Sequence, residues 1–166
     1  EEFIQKSSNI KGIEDSTRFA IKSRALGLGT LGYHTYLQSK NIPFISIYAN
    51  GQTNKIFSYI RDQADQASNE LVEMFGEPEW CKGTGFRNLT KLAIAPNRSS
   101  AKLAGGISQG VEPIAANIYV DDDSKGIHIR RNPELVKLLE SKERNIPEVW
   151  DQIIEDKGSV VNIRCL

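Results

Sequence analysis

The chain has 166 residues, 39% hydrophobic and 25% charged, which suits one globular domain or part of a larger one. Lys plus Arg equals Asp plus Glu, 21 each, so no net charge draws the chain toward nucleic acid or an acidic membrane surface. No apolar run approaches the ~18 residues of a membrane span, and the N-terminal EEFIQKSSNIK has no apolar signal core. The expectation is a cytoplasmic protein with neither nucleic-acid nor membrane partners. The only methionine is Met74, so the chain is expected to be a piece of something longer.

In chain order, residues 15–40 read as a helix. Asp15 and Ser16 offer a cap, and Leu26, Tyr33 and Leu37 recur at helical spacing. Gly27, Gly29 and Gly32 lie inside it, each costing about 1 kcal/mol against alanine. They make sense if another backbone packs closely on that face. Asn41 and Pro43 end the element, and NIPFISIYANG follows as a short connection closed by an Asn50-Gly51 turn. The clearest helix covers 52–75, with Ile56, Ile60, Ala64, Ala67, Leu71 and Met74 on one face; Gly76 stops it and Pro78 bars continuation.

Residues 79–87 read as a loop, 88–95 as a strand ended by Pro96, and 98–104 as a short helix. ANIYV and IHIRR alternate as a hairpin over 116–131, with DDDSKG as the turn. Asn132-Pro133-Glu134 sets cap, proline and acid in order for a helix to about 142. Asn145-Ile146-Pro147-Glu148 repeats the signature, with Trp150, Ile153 and Ile154 as the apolar face and Gly158 as the stop. Two long helices, a strand and a hairpin bury little alone, a second indication that part of the fold lies elsewhere.

Several candidate sites carry chemistry. GLGTLG at 27–32 matches G-x-G-x-x-G, but charged RFAIKSRAL precedes it where a buried strand belongs. The acid expected some twenty positions on is also missing, so helix packing through small residues is the stronger reading. Ser99 and Ser100 follow a strand, but no G-x-S-x-G elbow exists and neither His34 nor His128 sits in a base motif. DDD at 121–123 reads as a solvated hairpin tip rather than a metal cluster, Trp80 and Trp150 as packing residues, and Cys81 and Cys165 as unclustered thiols of a reducing compartment. LAIAPNRSSAKLAGG at 92–106 remains. A strand runs into Pro96, then hydroxyl residues and a helix start, whose unpaired N–H groups attract anions. Arg98 adds a forked cation. Locally, a phosphate loop and a plain strand–helix corner fit equally well.

Five stretches in register resolve this. RALGLGTLGYHTYLQ (24–38), ASNELVEMFGEPE (67–79), RNLTKLAIAPNRSSAKLAGG (87–106), GVEPIAANIYV (110–120) and EVWDQIIEDKGSVVNI (148–163) together resemble the C-terminal catalytic-barrel half of the ribonucleotide reductase large (α) subunit. The resemblance implies an α/β fold, a partial segment of that family's ten-stranded α/β barrel, with residues 1–166 forming an incomplete barrel domain. It implies an oxidoreductase that reduces ribonucleotides by radical chemistry for DNA precursor synthesis. It places the substrate phosphates at 96–101, on Asn97, Arg98, Ser99, Ser100 and Ala101. Positions 97 and 98 depart from the small or hydroxyl residues more usual in the family.

The family's radical cysteine, redox cysteines, radical-path tyrosines and effector sites match no position here. The resemblance therefore implies that no catalytic residue, metal or cofactor belongs to this segment and that the isolated chain is inactive. Its partners would be the rest of the large subunit, a small radical-generating subunit, most simply a dimetal one, a thiol reductant and the ribonucleotide. The alternative is a truncated remnant or assembly module that binds no nucleotide.

Overall fold

The structure is a computed structural model that describes residues 1–123 and 126–163. Among these residues, seven α-helices, a 3-10 turn (Glu79–Cys81) and a hairpin are formed; the helices and strands in chain order are α1 (Glu2–Ser7), α2 (Glu14–Ser23), α3 (Tyr33–Ser39), α4 (Ile47–Phe75), α5 (Arg98–Leu103), β1 (Ile118–Asp123), β2 (Gly126–Arg131), α6 (Pro133–Ser141) and α7 (Pro147–Glu155). They divide between two compact units. One holds Glu1–Gly29 and Asn50–Ile94, the other Thr30–Ala49 and the chain from Ala95 onward.

In the first unit the predicted helix over 15–40 breaks at Arg24, whose backbone turns left-handed (φ 47°). Residues 25–29 run extended instead. The Leu26 N–H donates to Thr90 O (2.9 Å), the Leu28 N–H to Lys91 O (2.9 Å) and the Ala93 N–H back to Leu28 O (3.1 Å). Leu28 and Leu92 form one isolated parallel bridge; the predicted strand over 88–95 is reduced to this single bridge and its flanking hydrogen bonds. The glycines do admit a close neighbour, but across this bridged extended pair rather than between helices. A Cβ on Gly27 would sit 2.9 Å from Ala93 Cβ, and one on Gly29 2.8 Å from the Ala93 carbonyl oxygen.

Helix α4 starts earlier than the predicted 52 and runs straight through Asn50-Gly51. Ser46 accounts for this: its Oγ accepts the Ala49 N–H (3.1 Å), a cap that sets the start upstream of the turn signal. Gly76, at φ 71°, ends α4 as predicted. The helix face centres on Ser68 rather than on Ala67 or Met74, both of which are exposed. The Ser68 hydroxyl donates to Asn88 Oδ1 (2.8 Å) and accepts the Arg87 and Asn88 N–H groups (both 3.1 Å). Trp80 packs edge-on to Phe19. Cys81 is free and buried, its thiol directed at Ser23 O, and burial pushes its pKa up. Cys165 lies outside the described residues.

The second unit packs Ile118, Leu135, Leu139, Val149, Trp150, Ile153 and Ile163 into one apolar cluster. Ile154 stays half exposed, so the apolar face of α7 is narrower than its sequence pattern. Asn132 caps α6 as predicted, accepting the Glu134 N–H (3.1 Å), and its amide donates to Asn117 Oδ1 (2.8 Å). Asn145 does not repeat this role. Its Oδ1 accepts the Trp150 indole N–H (2.7 Å), and Ile146 occupies the cap position. The hairpin ladder runs from Ile118↔Arg131 to Asp123↔Gly126. Asp121, Asp122 and Asp123 therefore belong to β1, and Ser124 and Lys125 of the predicted turn lie outside the described residues.

Candidate phosphate site

The site grows from α3 outward. The Gly32 N–H donates to Ser108 O (2.8 Å), the Tyr33 N–H to Gly110 O (3.3 Å), and the Ser108 N–H to Thr35 Oγ1 (2.9 Å). These bonds fix residues 108–110 against the start of α3. Gln109 in turn holds the Asn97 N–H at 3.0 Å through its carbonyl, which anchors the residue just before α5. Gly32 needs to be glycine here, at φ 79° and with Ile107 Cδ1 only 2.9 Å from where a Cβ would stand.

Helix α5 begins without a side-chain cap. The Asn97 amide turns back to donate to Ala95 O (2.9 Å), and the first helical bond runs from the Ala101 N–H to Asn97 O (2.8 Å). Among the described residues, the N–H groups of Arg98, Ser99 and Ser100 have no protein partner. All three side chains are exposed, whereas Asn97 is half-buried and Ala101 is buried. Of the five predicted contacts, the structure thus brings Arg98, Ser99 and Ser100 to one open edge; the Asn97 and Ala101 N–H groups are committed to the fold. The glycine pair closes the far end, with Gly105 and Gly106 at φ 92° and 81° and the Gly106 N–H on Ala101 O (2.9 Å).

Asp121 is the functional candidate that sequence reasoning missed. Read as part of a solvated tip, it is in fact fully buried. The Lys102 ammonium lies 2.7 Å from its Oδ1 and 2.6 Å from its Oδ2. Arg98 Nη2 stands 3.5 Å from Oδ1, and Arg130 Nε, from β2, 3.6 Å from Oδ2. The Lys102 hydrogen bond, reinforced by the charges of Lys102, Arg130 and Arg98, holds the Asp121 carboxyl below its usual range against the opposing effect of desolvation. The signal in the sequence was the spacing of Arg98 and Lys102. One turn apart on α5, the two cations share a face and repel without a counter-charge.

The other candidates serve the fold. Within GLGTLG the Leu28 and Gly32 N–H groups are already bonded, and Gly27 and Gly29 abut Ala93, so the motif forms no phosphate cradle. His34 is half-buried; its Nδ1 accepts the Ile114 N–H (3.3 Å), its ring meets Phe44 edge-on, and burial lowers its pKa. His128 sits exposed on β2. Among the described residues no three His, Cys, Asp or Glu side chains converge as metal ligands, and no helix is long and apolar enough to cross a membrane.

A bridged extended segment, an open helix start, a hairpin and two further helices, the first capped by Asn132, fit a piece of an α/β barrel. The family described as ribonucleotide reductase, barrel domain, matches residues 4–84 and 78–166, and the chain belongs to it. It is 36% identical over 160 residues to the ribonucleoside-diphosphate reductase large subunit of Invertebrate iridescent virus 6, covering 95% of this chain and 16% of that protein. The corresponding protein of Invertebrate iridescent virus 3 is 39% identical over 153 residues, covering 89% and 24%. Among solved structures, the Actinobacillus ureae class Id ribonucleotide reductase alpha subunit superposes with a TM-score of 0.87 at 42% identity, covering 99% of this chain and 30% of that one. The chain thus spans a sixth to a quarter of the length of these viral relatives.

Proposed function

We propose that this chain is the part of a ribonucleoside-diphosphate reductase large subunit that holds the phosphates of the substrate. The observation that carries this reading is the start of α5. The N-terminal end of a helix carries partial positive charge and favours an acidic first turn, by about 0.3–1 kcal/mol per charge. Here the first residue is Arg98, and no acid stands in the first turn. Three open N–H groups and two hydroxyls stand at this start, and the carboxylate that meets the Arg98 guanidinium, Asp121, is already held by Lys102. A nucleotide's phosphate groups satisfy all of them at once.

In the complete subunit the reaction removes the ribose 2′-hydroxyl. The cysteine radical that begins it and the dithiol that supplies two electrons belong to other parts of the subunit, and a small partner subunit with a dimetal centre generates the radical. The buried, high-pKa Cys81 thiol is unsuited to either role. The chain's contribution is to bind and orient, in a cytoplasmic enzyme, and by itself it reduces nothing. The test is the triple variant Arg98→Ala, Ser99→Ala, Ser100→Ala in the complete large subunit. The KM for a ribonucleoside diphosphate is expected to rise by roughly tenfold or more. An unchanged KM sinks side-chain binding, and turnover by the 166-residue chain alone sinks the division of labour.

A further inference from the structure

We propose that Asp121 is a positioning residue for this phosphate site: its buried carboxylate, held by Lys102, tethers one nitrogen of Arg98, the first residue of α5, and leaves the other guanidinium donors for the phosphates. The proposal rests on the phosphate reading above and assigns a role that neither Arg98 nor the helix start contains by itself.

Three observations lead to it. Asp121 has no exposed surface, so it acts as a fixed anchor and does not itself meet a ligand. Lys102, largely shielded, spans both carboxylate oxygens at 2.6 and 2.7 Å and so takes up the close contacts that Asp121 offers. Arg98 touches the same carboxylate by a single nitrogen at 3.5 Å, with two thirds of its side chain exposed. One corner of the guanidinium is thereby tethered while its remaining donors stay available. An arginine without such a tether samples many rotamers and loses that freedom on binding, so pinning one corner favours the bound geometry in advance.

The charges agree with this arrangement. The described side chains of the cluster are three cations, Arg98, Lys102 and Arg130, around one carboxylate. Asp121 compensates enough of that charge for two cations to share one face of α5, and leaves an excess for an anion to neutralise. The ligand chemistry is a diphosphate group on a nucleoside. A monophosphate would meet the backbone edge and leave the Arg98 fork partly unused.

The test is steady-state kinetics of the complete large subunit with its radical-generating partner. Asp121→Asn alone strands a half-buried lysine charge, so the variant that carries the test is Asp121→Asn/Lys102→Gln, which removes both charges of the pair. The KM for a ribonucleoside diphosphate is expected to rise roughly five- to twentyfold, with kcat within about twofold of the parent. Added to Arg98→Ala, the same pair should raise KM no further, since Asp121 acts through Arg98. If the pair leaves KM unchanged, or raises it equally in the Arg98→Ala background, the positioning role is overturned. The loop reading then survives provided Arg98→Ala alone still weakens binding. If Arg98→Ala and the Ser99→Ala/Ser100→Ala pair both leave KM unchanged, side-chain binding of the phosphates falls together with the positioning role.

Discussion

Two helices of the second unit begin at an asparagine and use it in opposite ways. At α6, Asn132 turns its carbonyl oxygen onto the Glu134 N–H; Pro133 removes a donor that would need a partner, and Glu134 meets the helix dipole with an acid. At α5, Asn97 turns its amide away to Ala95, and the next residues are a cation and two serines with unpaired N–H groups. The first start is closed by the protein's own cap; the second has no side-chain cap. Identity at the cap position therefore says little about role, and the direction of the cap side chain and the charge of the first turn decide it.

This contrast breaks first at the caps themselves. Asn132→Ala removes the cap and a buried hydrogen bond to Asn117, and should destabilise the fold by about 2–3 kcal/mol. Asn97→Ala should cost less than about 0.5 kcal/mol, because no cap is lost. Denaturant midpoints of the two variants give the comparison; equal losses would erase the distinction between the two starts.

A graft sharpens it. Arg98→Pro/Ser99→Glu gives α5 the proline and acid of α6. Stability should hold or rise by roughly 0.5 kcal/mol as the dipole is satisfied from within. Nucleoside diphosphate affinity of the complete subunit should fall about tenfold or more, through the loss of one cation and the gain of one anion. A graft that binds nucleotide normally would show that α5 is open for no functional reason.

The smallest effect concerns pH. Burial lowers the pKa of His34, so the folded state favours the neutral ring that accepts the Ile114 N–H. Below about pH 6.5 the unfolded chain takes up a proton that the folded chain resists. Stability should therefore decline as pH falls through that value, and level off once the folded ring also protonates. In His34→Gln the denaturation midpoint should show a shallower slope over this window.

What was legible in the sequence was what local chemistry decides. Asn132-Pro133-Glu134 and Gly76 mark a helix start and a helix end within a few residues, and both stand where expected. The 96–101 corner read locally as either a phosphate loop or a plain strand–helix corner, and neighbouring motifs in register tipped the reading toward the first. The failures are non-local. Asn50-Gly51 reads as a turn until Ser46 caps the helix ahead of it. Leu26 and Leu28 read as helical because the backbone that they pair with lies near residue 90. Asp121 reads as solvated because Lys102, 19 residues earlier, becomes its neighbour only in the folded chain.

The pairing of 26–28 with 90–93 also sets an order of events for folding. Leu26 and Thr90 are 64 positions apart, so their meeting closes a long loop before any contact rewards it. Helix α4, made of local bonds within that loop, can form on a far shorter timescale and shorten the distance its ends must search. Acquisition of the extended pair should thus be a late step in this unit, and Gly27 and Gly29, whose small size permits it, should influence how fast the native state is reached as much as how firmly it is held.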